Sequence, residues 1–320
     1  AQTVDHARLY LSIVAIGAPF TMFSGAVGNA IRADGSSGKV MLICLIGTGV
    51  NIILDPVFIL VFGWGIAGAA LATVLGNIVS CILVILHVKK SDYLCVDPKY
   101  FTLRKDVSLR VLSLGMPMAL GVALGSFASM FANNLLVKYG NQAVAAQGVA
   151  SKAGMLTGMI VMGVCMGMQP AISYAYGSGN KQHLRNIVIV TGIATTALST
   201  ILGGIFLLNR EFFVSFFLND PHVLDMGRLM MLGLVGAPVG GIYQLCSAYL
   251  QGTGKVSSAT LTSLLSKGLV YVPVLFVGEA LFGLMGLVFA GAVTDVISTA
   301  VGVLLCTGLG FKRATLSAAA

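Results

Sequence analysis

Asn51 and Asp55 stand four residues apart in the stretch NIILDPVFI, residues 51–59, which is otherwise apolar. That spacing puts both on one face of a helix, one turn apart. Pro56 has no N–H, so it leaves the carbonyl of Ile52 without its helical donor. A carboxylate, an amide oxygen and a freed backbone carbonyl together suit a proton or a hard cation. The competing reading is an Asp that only hydrogen-bonds a neighbouring helix. Six more polar groups have similarly apolar surroundings: Thr73, Asn77, Lys152, Gln169, Lys267 and Asp295. Ionisable groups in such settings usually face a bundle interior or a wet path. Lys267 and Asp295, from adjacent helices, read equally as a structural ion pair or as substrate-facing groups. Lys152 lies near a helix end and reads as a snorkelling side chain.

The elements that must hold these groups are membrane helices. Of the 320 residues, 57% are hydrophobic and 9% charged, with a mean hydropathy of +0.94. Nine apolar runs, at residues 9–31, 40–62, 65–88, 110–137, 143–176, 187–208, 226–250, 256–278 and 281–309, are each long enough to cross a bilayer core of ~30 Å. Barrel strands would alternate instead, so the expected class is all-α, a polytopic membrane protein. The run holding Lys267 also contains Pro273, which should bend it. If the loop from Lys89 to Arg110 is cytoplasmic, alternate loops leave only Arg8, Lys138, Arg210 and Arg228 outside, as the positive-inside rule requires. The net charge of +8 then reports topology and contact with anionic lipid, not a nucleic-acid partner.

Gly17-Ala18-Pro19 recurs as Gly236-Ala237-Pro238, at an offset of 219, and the match continues from Ile31–Gly35 into Leu250–Gly254. Gly65-Ile66-Ala67-Gly68 pairs with Gly283-Leu284-Met285-Gly286, and Asn77–Ser80 with Asp295–Ser298, both at 218. Runs one to three therefore repeat as runs seven to nine. The repeat is parallel, as in transporters built from two similar halves. Three runs precede the second Gly-Ala-Pro within its half and none precedes the first, so about 110 residues, three helices, are expected upstream. The expectation is two pseudo-symmetric lobes with nine of twelve helices present: residues 1–88 from the first lobe, a cytoplasmic loop over 89–109, and the second lobe over 110–320. Ala1 to Arg8 lacks an initiator Met and a basic n-region, so it does not read as a signal peptide.

Other motifs give little chemistry. The six cysteines show no C-x-x-C spacing and read as packing residues. Gly252-Thr253-Gly254-Lys255 lacks the spacing, the following Ser or Thr and the preceding strand of a P-loop. No catalytic triad order, paired carboxylates or zinc spacing points to an enzyme. The G-x-x-x-G pairs Gly121/Gly125, Gly154/Gly158 and Gly163/Gly167 read as close helix packing within one chain, and hence a monomer.

The motifs Ile31–Gly35, Asn51–Pro56, Gly65–Thr73 and Gln169–Gly177 together resemble the MATE (multidrug and toxic compound extrusion) family, over the whole chain, aligned with helices four to twelve. The resemblance implies two lobes rocking about a cavity in the cell (inner) membrane. It also implies antiport of amphiphilic or cationic small molecules against H+ or Na+, with no other cofactor. In the DinF-like branch a cation site uses an Asn and an Asp on the fifth helix and a Thr on the sixth. By motif these are Asn51, Asp55 and Thr73, while that branch's first-helix Asp would lie upstream of this sequence. The other main branch uses acidic residues on helices seven and ten, and the corresponding runs, 110–137 and 226–250, carry none at mid-membrane. Lys267 stands where the family has Arg on helix eleven, and Ala175 where it has Asn. A lipid-linked oligosaccharide flippase of the same superfamily and a non-transporting membrane remnant are the rival readings.

Overall fold

In the computed structural model, residues 2–91, 94, 99, 104–217 and 221–307 are described. Most of the expected inter-lobe loop, together with Cys95, Lys312 and Arg313, lies outside them. The described residues are helical almost throughout, and nine helices among them are long and apolar enough to cross a membrane. Their lipid-ready surfaces show in side chains such as Leu208 and Leu60, 87% and 77% exposed. The chain divides into two compact units, Ala1–Leu103 and Arg104–Ala320, a boundary inside the expected loop.

The first unit holds α1 (Gln2–Ala33), α2 (Ser37–Pro56) and α3 (Gly65–Val88). Helix α3 packs against both others, and small residues explain how. A Cβ on Gly76 would sit 2.6 Å from the carbonyl oxygen of Gly47, so the α2 and α3 backbones nearly touch. Ile31, Val40, Ile43, Val84 and Val88 close the end of this unit as one buried cluster. Beyond Pro56 the helix continues as a π turn, Val57–Val61, in which the Phe62 N–H reaches back to Val57 O. Trp64, the single tryptophan, then stacks on Phe62 at a centroid distance of 5.2 Å.

The second unit holds α4 (Lys105–Val137), α5 (Asn141–Gly177), α6 (Lys181–Leu208), α7 (Arg210–Phe217), α8 (Pro221–Met230), α9 (Ala237–Gly252), α10 (Val256–Leu264), α11 (Tyr271–Phe282) and α12 (Leu284–Thr307). A 3-10 segment, Met231–Gly236, joins α8 to α9 as one span, and a π turn, Leu265–Leu269, joins α10 to α11 as another. The distortion in the latter span therefore lies at Lys267 itself. Pro273 instead falls in the first turn of α11, where a missing N–H costs nothing.

Helix α9 packs against α5, α6 and α12. Facing it, Thr191, Thr195 and Ser199 form a stripe on α6, each no more than 1% exposed. Their hydroxyls donate to carbonyls of their own helix, Thr191 to Ile187 O at 2.7 Å and Ser199 to Thr195 O at 2.8 Å. A buried polar stripe is thereby satisfied without a partner helix.

The stretch between residues 208 and 226, a connection by hydropathy, contains α7. Val214 of α7 is fully buried, whereas Phe212 and Phe216 are 73% and 76% exposed. Arg228 holds α7 to α8 by pairing with Glu211 and with Asp225.

The repeat is visible in the turns. Gly35 and Gly254 have φ of +82° and +71°, and each follows a helix end with the same three backbone bonds. Asp34 N–H donates to Ala30 O, Gly35 to Arg32 O and Ser36 to Ile31 O; Thr253 donates to Tyr249 O, Gly254 to Gln251 O and Lys255 to Leu250 O. The glycine is required by the left-handed backbone of this helix stop. Ile31 and Leu250, each 0% exposed, occupy matching places at the 219 offset.

Candidate functional site

In the first unit, Asn51 on α2 and Thr73 on α3 meet across the helix crossing. Asn51 Nδ2 donates to Thr73 Oγ1 at 3.4 Å, and that hydroxyl in turn donates to Ala69 O at 3.0 Å. The closeness of Gly47 and Gly76 makes this contact possible: a Cβ on Gly76 would also lie 3.2 Å from Asn51 Cβ. Asn51, Thr73 and Asn77 line a cavity of about 310 Å³ with Thr48 and Ser80.

Asp55 does not line that cavity. It lies one turn along α2 from Asn51, half-buried, and its Oδ1 is enclosed with no hydrogen-bond partner. Asn51 and Thr73 are thus in contact, and Asp55 stands beside them as an unsatisfied acceptor. The alternative in which Asp55 simply bonds a neighbouring helix has no donor at this oxygen among the described residues.

In the second unit, Gln169, Lys267 and Asp295 line a larger cavity of about 810 Å³. Lys267 comes from the π turn and Asp295 from α12. No ion pair within 4.0 Å joins them, which corrects the reading of a structural pair. Lys152 is exposed on α5 and outside the cavity. The glycines Gly121, Gly125, Gly154 and Gly158 line the cavity wall, and Gly163 and Gly167 face no atom within 4 Å. A Cβ on Gly121 or Gly154 would meet Ser263 or Leu234 at 3.7 or 3.6 Å, an ordinary packing contact, whereas Gly158, Gly163 and Gly167 meet nothing within 4 Å; the tightest crossings are at Gly47/Gly76 and Gly278/Gly286.

The two cavities are lined from matching positions of the repeat. Ser24 pairs with Tyr243, Gly25 with Gln244, Gly28 with Ser247 and Arg32 with Gln251 at the 219 offset; Thr73 pairs with Gly291 and Asn77 with Asp295 at 218. Corresponding positions of the repeat thus line a cavity in each unit with a different set of side chains. Both hold amides, hydroxyls and one cation, Arg32 in the smaller and Lys267 in the larger, and the larger alone adds a carboxylate, Asp295.

The MatE family pattern matches residues 117–277, half of the chain. The chain belongs to the MatE family. Among curated proteins it is 28% identical over 306 residues to the multidrug export protein MepA of Staphylococcus saprophyticus, covering 95% of this chain and 67% of that one. It is 30% identical over 285 residues to MepA of Staphylococcus aureus strain MRSA252, covering 88% and 62%. The chain thus spans about two thirds of the length of these relatives. The fold matches an outward-facing multidrug resistance MATE transporter of the MOP superfamily, with TM-score 0.87 and 23% identity over 96% of this chain and 70% of that one. It also matches the Vibrio cholerae MATE transporter VcmN, with TM-score 0.85, 23% identity and the same coverage.

Within this MatE chain, residue-type reasoning passed over the polar stripe of α9. Gln244, Ser247 and Gln251 all line the larger cavity, and Gln251 Nε2 donates to Ser247 Oγ at 3.2 Å. Their spacing of three and then four, in a membrane span, was the available signal.

Proposed function

We propose that this MatE protein is a secondary antiporter that exports amphiphilic or cationic small molecules in exchange for H+ or Na+, with Asn51, Asp55 and Thr73 forming its coupling site. The enclosed Asp55 Oδ1 without a donor, on a membrane-spanning helix, carries the reading. A carboxylate in such a place is costly unless something positive reaches it. A proton or a small cation relieves the cost; Asn51, one turn away on α2, supplies a neutral oxygen, and Thr73 is bonded to it across the helix crossing. An ion bound there can bias the protein between two arrangements by as much as its affinity differs between them.

The larger cavity supports the exporter half of the reading. Met118, Met162 and Met166 contribute flexible, polarisable walls that accommodate varied shapes. The name of the MepA relatives, multidrug export proteins, points to the same substrate breadth.

The test is transport of a fluorescent amphiphilic cation in vesicles carrying the protein. Under an imposed H+ or Na+ gradient the dye should move against its own gradient and stop when the ion gradient is collapsed. Dye movement that ignores both ions would reject the antiport reading.

A further inference from the structure

The exposed face of α6 runs on into α7. Ile201, Ile205, Leu208, Phe212 and Phe216 follow one another at steps of four, three, four and four, and each is at least half exposed. That spacing traces one helical face. The two helices join almost without a break, since Asn209 N–H donates to Ile205 O and Phe213 N–H to Asn209 O. Along the stripe the residues change from aliphatic to aromatic where the apolar run of α6 ends and Asn209, Arg210 and Glu211 follow. Phe217 adds a third exposed ring. The other side of α7 is fixed to the protein. Val214 is fully buried, and a Cβ on Gly227 of α8 would overlap its Cγ1. Phe213 meets Phe206 of α6 edge-on at 4.9 Å, and Glu211 pairs with Arg228 of α8.

We propose that α7 is an interfacial anchor, seating Phe212, Phe216 and Phe217 in the boundary between headgroups and acyl chains of the outer leaflet. The occupant of this face is lipid, because the stripe is continuous with the exposed apolar side of a membrane span. The apolar run of α6, residues 187–208, covers the hydrocarbon by itself at ~1.5 Å per residue, so the rings that follow it lie at the headgroup level. A helix with aromatic side chains on one face and charged groups on the other settles roughly 5–10 Å into that boundary. Arg210 and Glu211 supply the charged flank, and Arg210 belongs to the outside set of basic residues. The anchor reaches further into the fold. Arg228 ties α7 to α8, and α8 continues through the 3-10 segment into α9, whose Gln244, Ser247 and Gln251 line the larger cavity. The membrane surface thereby holds the outer end of the span that carries these groups.

The test exploits the single tryptophan. In a Trp64→Phe background, Phe212→Trp and Phe216→Trp each place one fluorophore on the exposed face of α7, and Ile201→Trp places one about two turns below Leu208 on the same stripe. The purified protein is reconstituted into phosphatidylcholine vesicles whose acyl chains carry bromine either near the headgroup or near the chain ends. Emission from 212 and 216 should be quenched about twofold more by the shallow bromines than by the deep ones, as the depth of an interfacial helix requires, and should hardly respond to aqueous iodide. Ile201→Trp should show the reverse order of bromine quenching, and that order, with agreement between 212 and 216, shows that the variants are folded and inserted. Iodide quenching of both α7 tryptophans without an effect of brominated lipid would reveal an aqueous face and overturn the proposal. No response to either quencher would reveal a protein partner, such as a second copy of this chain, and stronger quenching by the deep bromines would place α7 inside the span; either result overturns it as well.

Discussion

Asn51 Nδ2 lies 3.4 Å from Thr73 Oγ1, across the crossing of α2 and α3, and the enclosed Oδ1 of Asp55 is one helical turn away without a donor. The amide and hydroxyl oxygens are thus held in place by a crossing that only small residues allow. The carboxylate oxygen beside them on α2 has no hydrogen-bond donor among the described residues.

Replacing Thr73 by Val should remove the acceptor for Asn51 and a neutral ion ligand while keeping the side-chain shape. Loss of one such bond costs about 1 kcal/mol, so the protein should still fold. Thermal melts of the detergent-solubilised protein at rising Na+ or H+ should show ion-dependent stabilisation in the wild type and in Thr73→Ser, and a much smaller response in Thr73→Val.

Gly286→Ala should be strongly destabilising, because the new Cβ would overlap the backbone of Gly278. Overpacking of this kind costs about 1–3 kcal/mol or more. Gly163→Ala, which meets no atom within 4 Å, should melt at the wild-type temperature. Equal melting temperatures for the two variants would contradict the packing described here.

Lys267→Ala, which alters the lining of the larger cavity, should reduce dye export well below wild type, whereas Lys89→Ala, at the exposed end of α3, should leave it unchanged. Export normalised to protein in the membrane decides between them.

Much of this fold was legible in the sequence because membrane spans and helix stops are local properties. The apolar runs appear as spans, and Gly35 and Gly254 appear as matching left-handed turns. What depends on distant partners was not legible. The spacing of Gly121 and Gly125 shows that they share a helix face, yet it cannot say whether that face meets a helix or a cavity. The π turns at Val57–Val61 and Leu265–Leu269 have no comparable sequence mark, and Lys267 owes its position to one of them. At the candidate site, the i, i+4 pairing of Asn51 and Asp55 was readable. Which of the two finds a partner on α3 was not, because it depends on where α3 crosses α2.

Asp55→Asn tests the central claim most directly. Asn keeps the size and one acceptor oxygen but cannot ionise, so it removes the charge that a proton or Na+ would neutralise. The measurement is dye efflux under an imposed H+ or Na+ gradient, normalised to the amount of protein inserted in the membrane. Loss of gradient-driven efflux with insertion close to wild type is the predicted result. Wild-type efflux in Asp55→Asn would contradict Asp55 as the coupling residue.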